Sequence, residues 1–233
     1  NYLEKSAELL FKQWFIDFEF PNEKGELYKS SGGAMVESEL GEIPKGWEIR
    51  GLDEVADFLN GLALQKFPAE DEKNYLPVIK IKELREGFTS LSDKASTNID
   101  EKYIITFGDI LFSWSGSLMV VIWGEGKGAL NQHLFKVSSK YFEKWFYYFW
   151  TRYHLQKFIG IAEDKVTTMG HIKREHLTSS KVLVPNSTTI KKMDMLMKPL
   201  LNKIIKNKIE SRNILSFKEN LLPKLMSGQV RAK

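Results

Sequence analysis

The stretch TTIKKMDMLMKPLLNKIIKNKIESRNILSFKENLL, residues 188–222, reads as one long amphipathic helix. Met193, Met197, Leu200, Ile204, Ser211, Ile214 and Leu221 follow a roughly seven-residue stripe along one helix face. Thr188 or Thr189 can cap its start by accepting from an orphan N–H of the first turn. Pro199 falls inside the pattern and predicts a kink or an interruption, because its ring removes a donor and crowds the preceding turn. From Thr189 to Asn220, about 30 residues would make a rod of roughly 45 Å. Such a rod cannot bury its stripe by itself.

A second amphipathic helix stands at the other end of the chain, over residues 3–18. Leu3, Ala7, Leu10, Trp14 and Phe18 recur at steps of three and four, and Leu9, Phe11 and Phe15 broaden the stripe. The economical arrangement packs the first and last helices together as an antiparallel pair with a central domain carried between them. Leu10, Trp14, Leu200, Ile204 and Ile214 are the expected interface residues of that pair. Replacing Leu200 and Ile204 with Asp is then expected to abolish partner assembly and leave the central domain folded.

Pro21-Asn22-Glu23-Lys24-Gly25 is a turn cluster that stops the first helix, and the Ser/Gly-rich run around Ser30-Ser31-Gly32-Gly33 reads as a connector. The chain therefore divides into a helix over 1–20, a connector over 21–46, a central domain over 47–187, and a long helix with its tail over 188–233. Within the central domain the segments are short and mixed. Leu76 to Ile81 alternates like a strand led by an edge proline, Pro77. Tyr103–Phe107, Asp109–Ser113, Met119–Trp123, Leu134–Val137 and Val182–Pro185 are further strands, and Gly124 to Gly128 reads as a hairpin turn. An aromatic-rich helix is expected over about Lys140 to Ile161. The fold class is α+β: an irregular mixed domain flanked by two long antiparallel helices resembling a coiled coil.

Of the 233 residues, 42% are apolar and 27% charged, which fits a folded chain with a substantial core. There is no cysteine, so disulfides, thiolate metal sites and cysteine nucleophiles are excluded, and a reducing cytoplasm is the compatible compartment. No run of 18 apolar residues exists to span a bilayer, and Asn1 to Lys5 lacks the apolar core of a signal peptide. The chain does not start with Met, as a trimmed or excised piece of a longer one would not. Net charge is +4, unevenly spread: residues 191–233 hold 11 Lys/Arg against 3 Asp/Glu. A polyanionic partner is allowed by this balance, and so is a solvated basic helix face.

The catalytic inventory is thin. No phosphate loop of the G-x-x-x-x-G-K-[ST] type is present, so ATP-driven work is not encoded here. No Asn/Asp-Pro-Pro-Tyr run could hold a flipped base for methylation. Glu70-Asp71-Glu72-Lys73 gathers carboxylates, but four adjacent exposed residues cannot converge on one ion. His171 and His176 are separated by Lys173 and Arg174, whose charges disfavour a bound cation. Ser113-Trp114-Ser115-Gly116-Ser117 lacks the first glycine of a nucleophile elbow. No catalytic residue and no metal ligand is expected.

What remains suits the reading of DNA. Ser113, Ser115, Asn131, Gln132, Thr167 and Thr168, with His171 beside the turn at Gly170, offer donors and acceptors to base edges. Lys66, Lys80, Lys82, Arg85, Lys127, Lys165, Lys173 and Arg174 can neutralise phosphates. From Ile110 to Ser187 there are 10 basic and 5 acidic residues, against 8 and 13 from Trp47 to Asp109. A binding face should therefore draw mostly on the second half of the domain. Singly, each loop Ser or Thr is as well explained by capping local backbone, and Trp114 by a place in the core.

Several blocks, in order along the chain, resemble type I restriction enzyme specificity subunits. Leu9-Leu10-Phe11-Lys12-Gln13-Trp14-Phe15-Ile16-Asp17-Phe18 is similar to the end of a constant-region helix, and Leu40 to Glu48, LGEIPKGWE, to the opening of a target-recognition domain. Asp109 to Ser113 with Gly116, then Leu130-Asn131-Gln132-His133-Leu134-Phe135, resemble that domain's internal landmarks. Thr167 to Ile172 and Val184-Pro185 resemble its close, and Leu221 to Gln229, LLPKLMSGQ, the end of the distal helix.

The resemblance implies two recognition domains spaced by two long antiparallel helices, each domain reading one half of a bipartite site on double-stranded DNA. It implies methyltransferase subunits that use S-adenosylmethionine and a restriction subunit that uses ATP and Mg, with no cofactor in this chain itself. One domain and one helix on each side make this chain half of that pattern, either a fragment of a full subunit or a naturally short one that pairs as a homodimer. Two other readings stay open: the recognition portion of a fused restriction–methyltransferase polypeptide, and a helical scaffold with no nucleic-acid role.

Overall fold

A computed structural model describes residues 2–164, 170–227 and 229. Helix α1 (Tyr2–Phe15) is followed by the two-residue strands β1 (Met35–Val36) and β2 (Ile43–Pro44), which pair with each other. Next come β3 (Glu48–Gly51), α2 (Leu52–Val55), β4 (Asp57–Asn60), β5 (Leu76–Ile79), α3 (Ile81–Glu86), β6 (Lys94–Ala95) and β7 (Ile104–Ile105). The chain continues through β8 (Ile110–Ser113), β9 (Met119–Ile122), β10 (Gly128–Leu130), β11 (Leu134–Ser138) and α4 (Lys144–Glu163). It ends with α5 (Arg174–Thr178), β12 (Lys181–Val184) and α6 (Ser187–Met226).

Two four-stranded sheets form the body, in the orders β4-β11-β8-β9 and β6-β5-β10-β7. Strand β12 pairs antiparallel with β3, so the segment leaving the domain zips to the one that opens it. This α+β body hangs from helices at both ends, as the hydrophobic patterns require. Helix α4 carries the centre of the core. Trp145, Phe146, Tyr148, Phe149, Trp150 and Phe158 are all buried, on every side of the helix. A helix apolar all round must be covered all round. Phe11 and Phe15 of α1 cover one side, with Phe11 in T-shaped contact with Trp150 at 5.1 Å and Phe15 tilted onto Trp145 at 5.9 Å. Met193, Met197, Leu201 and Ile204 of α6 join the same cluster.

The first and last helices pack, and they run antiparallel. Glu4 near the start of α1 lies 3.8 Å from Lys208, whereas Phe15 at its end shares Trp145 with Asp194, which accepts from the indole N–H at 2.7 Å. Trp14 and Ile204 are buried in the shared core, and Leu10 and Leu200 are half-buried against it. Ile214 does not join them within this chain. It is 68% exposed, because α1 is too short to reach that far along α6.

Other expectations are corrected by the backbone. The first helix stops at Phe15, and Phe18 takes a left-handed φ of 60°, which no helix interior tolerates. The stripe it buries is Ala7, Phe11, Trp14 and Phe15, and Leu9 faces outward. The long helix is capped by Asn186, whose side chain accepts from Thr189 N at 2.9 Å, in place of a threonine hydroxyl. It runs continuously through Pro199 for 40 residues, roughly 60 Å. Strand β5 is internal, but Pro77 sits at its β6 end, outside the register with β10, so no ladder bond is lost there. Residues 124–127 do not close a hairpin: β10 leaves β9 and pairs with β5 and β7 in the other sheet.

Candidate nucleic-acid interface

Four loops meet at one end of the β4-β11-β8-β9 sheet. They are the segment after β4, the β8–β9 connection, the turn before β11 and the segment before α5. Trp114 stands among them. Its indole N–H donates to Asn60 Oδ1 at 2.9 Å, and its ring lies 6.0 Å from His133, 5.8 Å from Phe135 and 6.2 Å from His171. Backbone bonds lock the loops together. Gly116 N donates to Gly170 O at 3.0 Å, Ile172 N to Trp114 O at 3.0 Å, and Gln132 N to Leu62 O at 2.8 Å. Ser115 and His171 form an antiparallel bridge. Gly116 takes a φ of 63°, and a Cβ there would meet Ile81 Cδ1 at 3.5 Å, which places the start of α3 beside the cluster.

The expected base-reading residues fall into distinct groups. Ser115, Asn131, Gln132 and His171 belong to the cluster. Gln132 and His171 are half-buried, whereas Ser115 and Asn131 are buried. Ser115 Oγ is 3.0 Å from His133 Nδ1, and Asn131 Oδ1 accepts from His133 N at 3.2 Å, so both shape the turn. Ser113 is a correction. It is fully buried, donating to Ser117 O at 2.5 Å and accepting from Met119 N at 2.9 Å, so it closes the β8–β9 connection and offers nothing to a base. Lys165, Thr167 and Thr168 lie outside the described residues.

The expected phosphate contacts divide similarly. Lys173 is exposed next to the cluster and 3.4 Å from Glu175. Arg174 is exposed, donates to Phe58 O at 3.1 Å and stands 5.7 Å over the Phe135 ring, which ties it to β4 and β11. Lys80 and Lys82 flank Ile81. Lys80 pairs with Asp93 in a groove that Gln65, Lys94 and Asn131 also line, and Lys82 is 3.9 Å from Glu86. Lys66 is exposed at the end of the short turn Leu64–Lys66. Arg85 lines a different cavity, facing α6, with Glu125 and Arg212. Lys127 follows Glu125 and Gly126 in the β9–β10 connection, so it too stands apart from the cluster. Asn60 and His133 are not among the base-reading candidates that the sequence offers. Only their contacts, across β4 and around the turn, give them a part.

Among the described residues no three His, Asp or Glu side chains stand together as a metal site would need, and no helix is long and apolar enough to cross a membrane. The family model for the type I restriction modification DNA specificity domain matches residues 44–212, most of the chain.

The chain belongs to that family.

The specificity domain thus opens at β2, takes in the whole loop cluster, and ends in the paired part of α6, just before the exposed Ile214. Similar proteins include the type I restriction enzyme MjaIX specificity subunit of Methanocaldococcus jannaschii, 29% identical over 99% of this chain and 54% of its own length. Another is the EcoBI specificity subunit of Escherichia coli, 26% identical over 52% of this chain and 26% of its own. A crystal structure of a type I restriction-modification S subunit from M. genitalium is 13% identical, covers 78% of this chain and 46% of its own, and has a TM-score of 0.49. The specificity domain and its helices therefore span about half the length of the MjaIX relative.

Proposed function

We propose that the chain recognises a specific sequence in double-stranded DNA, reading one half of a bipartite site, without chemistry of its own. The observation that carries this is the convergence of four loops, distant in sequence, around Trp114 at one end of a sheet. Their polar side chains stand on loops that backbone hydrogen bonds tie to one another, and Lys80, Lys82 and Lys173 stand nearby to meet phosphates. Phosphate contacts position a protein on the duplex and base contacts specify the sequence, so both kinds of group are needed on one face.

The other half of the site calls for a second domain. The distal part of α6 exposes Ile214, Leu215, Phe217, Leu221 and Leu222, an apolar stripe too long for a lone helix to leave in water. Either a second recognition half of a longer polypeptide covers it, or a second copy of this chain does. The paired helices would then set the distance between half-sites. Methyltransferase subunits using S-adenosylmethionine, and a restriction subunit using ATP and Mg, are the partners this reading assigns, acting in the cytoplasm.

Titration of the chain with duplex DNA at 50 and 200 mM salt tests the function. Specific recognition predicts tighter binding to one sequence than to bulk DNA, and a loss of affinity with salt that reports the phosphates neutralised. Equal, salt-insensitive affinity for every duplex would leave only the helical scaffold.

A further inference from the structure

We infer that Gln132 selects an adenine in the half-site, and that His133 and Ser115 position its amide; the inference rests on the DNA-reading function proposed above. The amide nitrogen of Gln132 lies 3.4 Å from His133 Nε2. An amide nitrogen only donates, so this contact forms in the tautomer whose Nε2 carries no hydrogen. The neutral imidazole then carries its hydrogen on Nδ1, which donates to Ser115 Oγ at 3.0 Å. The backbone holds the same turn from both sides: Gln132 N donates to Leu62 O at 2.8 Å, and His133 N to Asn131 Oδ1 at 3.2 Å.

One amide hydrogen of Gln132 is thereby directed at His133. Its second hydrogen and its carbonyl oxygen have no partner among the described residues, and the side chain is only half-buried. What remains is one donor beside one acceptor, at the spacing of a carboxamide. In the major groove adenine presents N7 as acceptor beside its N6 donor, which this pair matches in two hydrogen bonds. Guanine presents two acceptors there, cytosine a donor, and thymine an acceptor with a methyl group. Ser113, Ser115 and Asn131 do not compete for the role, being buried and bonded within the loops.

The test is selection from a randomised duplex library at low salt, with the full chain, Gln132→Ala, Gln132→Glu and His133→Phe, each checked for folding by circular dichroism. The wild-type chain should enrich a motif containing adenine. Gln132→Ala should lose preference at one adenine by about 10- to 100-fold, with the remaining positions unchanged. Gln132→Glu, with acceptors only, should move that position toward cytosine. His133→Phe keeps the ring and frees the amide to turn, so preference there should weaken. Folded Gln132 variants that enrich the wild-type motif would overturn the inference, as would a uniform loss at every position. A wild-type chain that enriches no motif would instead overturn the DNA-reading function itself.

Discussion

Glu4 in α1 and Lys208 in α6 face each other at 3.8 Å, at the end of the helix pair away from Asp194. The same carboxylate accepts from Tyr148 Oη and from Arg152 Nη1 at 2.8 Å, and Arg152 also pairs with Glu8. One acidic side chain thus joins α1, α4 and α6. Burial holds the Tyr148 hydroxyl far above the usual tyrosine range, so it stays a donor to Glu4 at any working pH.

Removing the cation from this knot should be costly. Arg152→Met leaves Glu4 and Glu8 together, with only Lys208 near, and is expected to destabilise the fold by about 2 kcal/mol. Urea unfolding followed by tryptophan fluorescence measures it. A midpoint equal to wild type would show that α1 is held by Phe11, Trp14 and Phe15 alone.

The α6 stripe has two halves with different duties, and substitutions should separate them. Ile204 is fully buried in the main core, so Ile204→Asp is expected to cost at least about 3 kcal/mol and unfold the domain, contrary to the expectation that such a change spares it. Ile214→Asp combined with Phe217→Asp changes exposed positions and should leave the thermal midpoint nearly as it was. The double variant should nevertheless lose association with a second copy or with methyltransferase subunits, as read by sedimentation. Unaltered assembly would refute a partner on that stripe.

His154 gives the fold a pH dependence of definite sign. Burial lowers its pKa from 6.5 to about 4, and its Nε2–H donates to Lys181 O at 2.8 Å. A base depressed on folding contributes stability that is complete above its unfolded pKa and is lost as pH falls through the folded one. Between pH 6.5 and 4 the loss should approach roughly 3 kcal/mol. His154→Gln should flatten this part of the stability profile. Equal slopes for the two chains would show that folding leaves the pKa of the ring unchanged.

The helix pair was legible in the sequence because a stripe over many turns has few ways to be buried. Its exact partners were not. Leu201 lies inside and Ile214 outside because the antiparallel α1 meets α6 only as far as the Glu4–Lys208 contact, a tertiary register that no local pattern records. The aromatic run of α4 announced a helix but not that it would be wrapped from all sides. Strands β4, β8 and β11 bring Asn60, Trp114 and His133 together, and residues so far apart in the chain carry no shared signal. Ser113 misled for the same reason: a loop-edge serine reads as available until the β8–β9 connection is seen to fold over it.

Hydrogen exchange of the chain with and without a duplex carrying its enriched motif tests most directly that the loops around Trp114 are the reading surface. Slowed exchange is expected at residues 61–62, 115–117, 131–133 and 170–172, with the distal half of α6 unchanged. Protection confined to α6, with those loops exchanging as in the free chain, would contradict it.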